Sequence, residues 1–356
     1  MPILHNLLEP PNLIRHFQDH PPAGFSTLDA GAPAFSAPFD LLTTVDAARL
    51  RKIEAWPFAR SCRRLLRPTT CFVGTTVSEY VLLPDEPGPE LLVRDLLSGL
   101  ARRYPFLIVK DLPTEAVLVG QAALAASRGL ADACRANGFV LVDGQALAYV
   151  PIDFTSADEF LAGLSHARRR NIRRKLRSAS AVTVEEIPTG DPYFRDDATL
   201  DALYQLYLNV YRQSDVHFDL LTPAFFRAVL QDEALGGIVF TYRAGGELIG
   251  YNVCVRRDAM LVDKYVGFVY PQARHYNLYA VSWFHNIEYA LRHGLRVYVA
   301  GWTDPEVKRE LGARFTFTQH AVYVRNPALR ALLKRFKRWF ESDRQWQDAS
   351  VSIPHS

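Results

Sequence analysis

The sequence predicts an α/β protein, a mixed sheet flanked by helices and built as two units, and three observations predict it. From Ile238 to Val324 the chain spells three strands, a helix, a strand, a short polar helix and a last strand. Short turns join the first three strands into an antiparallel meander, and the strand–helix–strand step after them is a right-handed crossover that returns parallel to the third. Ahead of this segment, residues 41–152 carry a weaker mixture of strand and helix patterns, and 356 residues exceed what one such core usually serves.

In chain order, residues 1–40 contain EPP, HPP and GAPAFSAP with little periodicity and are expected to form an irregular arm. Within 41–152, TTCFVGTT, EYVLLP, FLIVKDL and FVLVDGQALAYVPI are strand-like. Pro89–Tyr104 reads as a helix with proline in its first turn, and Ala123–Gly138 as a helix ending in Asn-Gly. The second unit spans 153–325 and opens with a helix over 158–177. Its meander strands, Ile238–Arg243, Leu248–Val255 and Met260–Val269, are rich in β-branched and aromatic residues and are separated by the turns AGGE and RRDA. The helix Ala280–His293 sets Ala280, Phe284, Ile287 and Leu291 on one stripe, with Asn277 as cap and Gly294 as stop, so it packs flat on the sheet. Arg296–Gly301 is the parallel strand. Residues 326–356 hold a basic amphipathic helix, Pro327–Phe340, capped by Asn326, with Leu329, Leu332, Leu333, Phe336 and Phe340 on one side. It is expected to dock on its own domain, with peripheral contact to an anionic membrane or a partner as the alternative.

With 49% hydrophobic and 22% charged residues the composition is that of an ordinary globular protein. Cys62, Cys71, Cys134 and Cys254 are scattered without CxxC spacing, which points to free thiols in a reducing compartment rather than to a disulfide framework or a zinc site. The N-terminus lacks the basic start and apolar core of a signal peptide, and no 18-residue apolar run occurs. A cytoplasmic protein without a membrane span is expected.

The sharpest compositional feature is Arg168–Arg177, where seven of ten residues are basic; without them 34 basic residues face 38 acidic ones and the net charge of +3 becomes −4. Asp158 and Glu159 at the start of the predicted helix and the cations at its end suit the helix dipole. A solvated face is the plain reading. Seven like charges in under three turns repel unless an anion is near, so Arg169, Arg173 and Arg174 are candidates for binding phosphates.

On the third meander strand, strict alternation puts Asp263 and Tyr265 on one face and turns Lys264 away. Asp263 is a candidate base or amine-binding carboxylate, against a surface ion pair with Lys264 or Arg256. DVHFD (Asp215–Asp219) makes His217 a candidate catalytic or substrate-contacting residue; it lacks a fourth ligand at recognisable spacing, so no metal is expected. His16 and His20 stand in HFQDH before Pro-Pro, not in HExxH, and carry no metal motif.

In its order of elements and in its wording the region resembles the GNAT superfamily of N-acyltransferases, and within it the FemAB-like branch. The resemblance rests on TPAFFRAVL (Thr222–Leu230), LYAVSWFHNIEYALRHGLRVYVAGW (Leu278–Trp302) with its Ile-Glu pair, DPEVKRELGARF (Asp304–Phe315) with its Lys followed by Gly, and the arginine run before the second unit. It covers roughly residues 150–325. It implies tandem GNAT-like units with the N-terminal one degenerate, and a donor thioester lying between the third meander strand and the next, beside Asp263. It also implies that Lys308, Trp302 and Glu288 contact substrate, the alternatives being that Lys308 bonds Glu288 or the last-turn carbonyls and that Glu288 lies on the outer face of its helix. The pyrophosphate loop of GNAT enzymes, Arg/Gln-x-x-Gly-x-Gly/Ala, corresponds to Arg274–Tyr279. The arginine is in register, but Asn277 and Tyr279 stand where the glycines would be, which disfavours tight acetyl-CoA binding without excluding it.

The expectation is an N-acyltransferase without a tightly bound cofactor. It would move an acyl or aminoacyl group from coenzyme A, an acyl-carrier protein or aminoacyl-tRNA onto an amine. The alternative is a tRNA- or nucleic-acid-binding module with a vestigial cleft. Convergence of Asp263, Tyr265, Arg274 and Lys308 on one pocket favours the enzyme, and a continuous basic surface without one favours the binder.

Overall fold

The computed structural model describes residues 4–40, 67–214 and 217–336. The chain divides into two compact units, one formed by residues 1–7, 23–146 and 316–356, the other by 8–22 and 147–315. The units are therefore interleaved in sequence, unlike the contiguous 41–152 and 153–325 expected above.

The first unit contains strands β1 (Leu4–His5), β2 (Ser26–Asp29), β3 (Pro33–Pro38), β4 (Thr69–Val73), β5 (Leu83–Pro84) and β6 (Phe106–Pro113), with helices α2 (Pro89–Ser98), α3 (Leu100–Arg103) and α4 (Gly120–Ala136). β2, β3 and β4 form an antiparallel meander, α2 and α3 make the crossover, and β6 returns parallel to β4, in register from Thr70↔Phe106 to Val73↔Val109. The other neighbour of β6 is β13 (Arg314–Val324), antiparallel to it. Val73, Val93, Leu107, Val109, Cys134 and Phe139 sit in its core. Residues 1–40 are ordered rather than irregular. GAPAFSAP supplies β3, a buried strand whose two prolines stand at its ends, where a ladder tolerates them.

In the second unit, α1 (Pro11–Asp19) precedes the closing residues of β7 (Val140–Pro151). Then come α5 (Ala157–Ala162), α6 (His166–Leu176), β8 (Thr183–Pro188), α7 (Asp197–Gln213), α8 (Pro223–Leu230), β9 (Gly237–Ala244), β10 (Glu247–Arg257) and β11 (Met260–Phe268). The unit continues with α9 (Gln272–His275), α10 (Leu278–Arg292), β12 (Val297–Gly301) and α11 (Pro305–Glu310). The expected meander is present as β9–β10–β11, turned by Gly245 and Gly246 at positive φ and by Asp258 in the left-handed region. β12 lies parallel to β11, from Met260↔Val297 to Val262↔Val299, and antiparallel to β7 on its other side. The edge strand β8 was not expected: it pairs with β9 but is mostly exposed, so its residues carry no apolar alternation.

α10 buries Trp283, Phe284 and Ile287 against Phe240 and Tyr298, each large side chain contributing about 1.5–3 kcal/mol. Asn277 precedes it in the left-handed region and makes no side-chain cap; its amide reaches Ser178 Oγ at 3.5 Å instead. The predicted helix over 158–177 is two helices. Gly163 ends α5, and Ser165 caps α6 by accepting from the Arg168 N–H at 3.4 Å, so the acidic and basic residues do not share one dipole. Among the described residues no helix is long and apolar enough to cross a membrane.

The last helix, α12 (Pro327–Phe336), is capped by Asn326. It belongs to the first unit, and Arg330 rather than a leucine docks it there, its guanidinium 4.2 Å from the Tyr323 ring centre. Leu329 and Leu332 are exposed, against the expected apolar docking face; Phe340 lies outside the described residues.

Candidate active site at the splay of two parallel strands

The pairing of β11 with β12 stops at Val262↔Val299, and the next residue of β11 is Asp263. On the other side of β11 the register skips one residue: Val253 faces Tyr265 and Cys254 faces Asp263, so Lys264 is the extra residue of a β-bulge. A bulge reverses the alternation on either side of it. Asp263 therefore shares the face of Cys254, toward α10, while Tyr265 packs on Phe225 and Phe226 of α8, ring centres 5.8 and 5.6 Å away. The expectation that Asp263 and Tyr265 share a face is corrected by this one extra residue.

Asp263 is the centre of a polar network in an otherwise apolar layer. Asn286 Nδ2 donates to Asp263 Oδ2 at 3.0 Å, the Tyr298 hydroxyl donates to the same oxygen at 3.0 Å, and Asn252 Nδ2 approaches Oδ1 at 3.3 Å. Behind them the Tyr242 hydroxyl donates to Asn252 Oδ1 at 2.6 Å, and Asn252 Nδ2 lies 3.2 Å from both Cys254 Sγ and Asn286 Oδ1. Burial pushes the Asp263 carboxyl above the ordinary carboxylate value, against the pull of Asn252, Tyr298, the Lys308 charge and Cys254. Lys264, considered as an ion-pair partner for Asp263, has its Nζ 3.1 Å from Oε1 of Glu9.

Lys308, buried on α11, stands beside the splay. A Cβ at Gly301, whose φ is +78°, would lie 3.9 Å from both Lys308 Nζ and the Asp263 carbonyl oxygen, which puts the lysine ammonium close to the point where the strands part. Burial, and then the Asp304 and Asp263 charges, push the Tyr279 hydroxyl well above its ordinary value. Arg274 is exposed on α9, 5.5 Å from the Tyr270 ring centre, and both it and Asp304 act on the Tyr270 hydroxyl. Asp263 and Lys308 thus meet at the splay; Trp302 follows Gly301 directly.

The arginine run forms a surface of its own. His166, Arg169, Arg170, Arg173, Arg174 and Arg177 fall on one face of α6 and its end and line a groove of about 240 Å³. Arg173 approaches Asp158 at 3.5 Å, an exposed contact. Next to Arg177 in sequence, Ser178 Oγ donates to the Tyr276 carbonyl at 2.5 Å.

Two candidates from the sequence lie elsewhere. Glu288 is exposed on the outer side of α10, and Asn286, two residues earlier, is the side chain that reaches Asp263. His217 is exposed, its ring 5.0 Å from Tyr211 of α7, while Asp215 of the same motif lies outside the described residues. Sequence reasoning missed Asn252, Asn286 and Tyr298. The available signal was polar residues interrupting buried apolar runs at Asn252 and Asn286.

Residues 166–309 match the family model described as an acetyltransferase (GNAT) domain. None of the curated proteins matches it at the sequence level. The chain is similar in structure to the C-terminal domain of a putative lysylphosphatidylglycerol synthetase from Agrobacterium fabrum (TM-score 0.55, 10% identity, covering 90% of this chain and 88% of that one). It is similar also to L-PGS from Bacillus licheniformis (0.54, 10%, 93% and 98%) and to FemX (0.48, 12%, 91% and 98%). At such identities these likenesses concern the fold. Each of the two units contains a three-stranded antiparallel meander, a helical crossover and a strand parallel to the last of the meander.

Proposed function

We propose that the protein transfers an acyl or aminoacyl group from a phosphate-bearing carrier to an amine, with Asp263 as the group that binds the amine and takes its proton. The observation that carries this is a carboxylate held by three side-chain donors at the point where β11 and β12 part, with Lys308 beside it. In the step proposed, the neutral amine nitrogen attacks the carbonyl carbon of the carrier thioester or ester. The carbonyl π electrons move to oxygen, the nitrogen's proton passes to Asp263, and collapse of the adduct expels the carrier thiolate or alkoxide, which is then protonated. Lys308 is suited to the developing oxyanion or to a carrier phosphate.

For the carrier, the six groove-lining residues of α6 and its end run from 166 to 177, about 16 Å at the rise of a helix, which suits a row of phosphates better than one pyrophosphate. With Asn277 and Tyr279 in place of glycines, we favour aminoacyl-tRNA over an acyl-carrier protein and over coenzyme A. The test is anisotropy with labelled tRNA against Arg169→Gln/Arg173→Gln/Arg174→Gln. Binding should weaken and the slope of log affinity against log salt should flatten by about 2–3. Affinity unchanged at low salt would reduce the stripe to a solvated face. The same groove supports a second reading, a nucleic-acid-binding module with a vestigial cleft, which predicts tRNA binding with no transfer to any amine. Leu329 and Leu332, exposed beside Lys334 and Arg335, are the face by which α12 would meet an anionic membrane.

A further inference from the structure

The bulge at Lys264 decides which way Asp263 points, and the side chain holding that bulge comes from the N-terminal arm. Lys264 is only 5% exposed, and its Nζ lies 3.1 Å from Oε1 of Glu9, whose side chain is fully buried. Arg257 Nη1 donates to the Glu9 carbonyl oxygen at 3.0 Å, clamping the same residue to β10. Just beyond it α1 is fastened through Asn12 Nδ2 and His16 Nε2, at 2.9 and 2.7 Å from Asp232 Oδ2. A buried ion pair is a poor source of stability, because desolvation offsets the attraction; its best-attested use is to specify one register. Here the ammonium of the bulge residue meets a buried carboxylate.

We propose that Glu9 is a positioning residue for transfer: by binding the Lys264 ammonium it fixes the β11 bulge in the register that turns Asp263 toward Asn286 and Tyr298. A slip of the bulge by one residue would carry Asp263 to the α8 face and away from all three of its donors. The catalytic consequence rests on the function proposed above, whereas the register does not.

Two readouts separate the ideas. Amide hydrogen exchange, which requires no substrate, should be at least about tenfold faster across 260–268 in Glu9→Gln while β9 keeps its protection. The charge-swapped Glu9→Lys/Lys264→Glu should return to within about threefold of wild type. With an amine acceptor and a charged carrier, kcat should fall about 10–100-fold in Glu9→Gln with KM nearly unchanged, and recover in the swap. Wild-type exchange across 260–268 in a folded Glu9→Gln, or fast exchange in the swap, overturns the proposal. Where Glu9→Gln does not fold, the swap decides alone: folded and protected supports it, unfolded or unprotected overturns it. A wild-type protein inactive with every carrier tested, yet showing the exchange pattern, refutes the transfer reaction and leaves the positioning of the bulge standing.

Discussion

The two units build the same junction and finish it differently. In the first, β4 and β6 part after Val73↔Val109; in the second, β11 and β12 part after Val262↔Val299. The residues that follow correspond: Gly74 to Asp263, Lys110 to Ala300, and Asp111, at φ +57°, to Gly301, at φ +78°. In the first unit the Lys110 chain lies across Gly74, where a Cβ would meet its Cγ at 2.9 Å, and its ammonium bonds the Thr75 carbonyl at 2.8 Å and pairs with Asp111. The junction is filled. In the second, alanine and glycine stand at the last two positions, and a carboxylate with its own donors takes the place of Gly74. At this junction the two units differ in three side chains on a similar backbone, not in fold.

The largest effect expected from this contrast is on turnover. Asp263→Asn should lower kcat by about 10²–10⁴ with donor affinity intact, while Lys110→Met, at the matching junction, leaves kcat unchanged. Steady-state rates with one carrier and one amine compare them. A mutant at Asp263 within a few-fold of wild type would mean that positioning, not proton transfer, supplies the rate. Lys110→Met should act on stability instead, costing about 3 kcal/mol in urea unfolding, since it strands the buried Asp111 carboxylate.

Asn286→Leu removes a buried donor shared by Asp263 and Tyr298, and about 1–3 kcal/mol of stability should go with it. The accompanying loss of rate should be smaller than that of Asp263→Asn, because Tyr298 and Asn252 still hold the carboxylate.

The two junctions should also respond to pH with opposite sign. Burial raises the Asp263 carboxyl, so the native state favours its proton: this stabilisation is present below the unfolded pKa and is lost as pH rises through the raised folded value. Activity through ionised Asp263 grows over the same window. Burial lowers His320, whose Nδ1 accepts from the Asp111 N–H at 3.0 Å and which is therefore neutral. Its contribution is present above the unfolded histidine pKa and is lost as pH falls through the depressed value. Urea midpoints across pH for Asp263→Asn and His320→Gln check both; identical slopes in the two variants would contradict the assignment.

The smallest difference should be between the thiols. Burial pushes Cys71 and Cys134 up to about 12 and Cys254 also well above its ordinary value. In a Cys62→Ser background, alkylation at pH 8 should be negligible in either unit until the protein is unfolded.

Sequence alone determined the elements of the second unit to within a few residues, because strand alternation, the glycine turn at Gly245 and Gly246 and the stop at Gly294 are local properties of the backbone. It also located the basic stripe, since spacing along one helix is local too, although the break at Gly163 was hidden by good helix formers on both sides. The face on which Asp263 lies was decided only by tertiary structure, because a bulge belongs to two strands in register and no single strand encodes it. The same holds for the exchange of Glu288 for Asn286 at the site, since the side of α10 that meets Asp263 depends on how the helix is rotated against the sheet. Glu9 and Lys264, 255 positions apart, are paired by packing alone. Interleaving of the two units likewise arises from contacts distant in sequence, which periodicity and composition do not record.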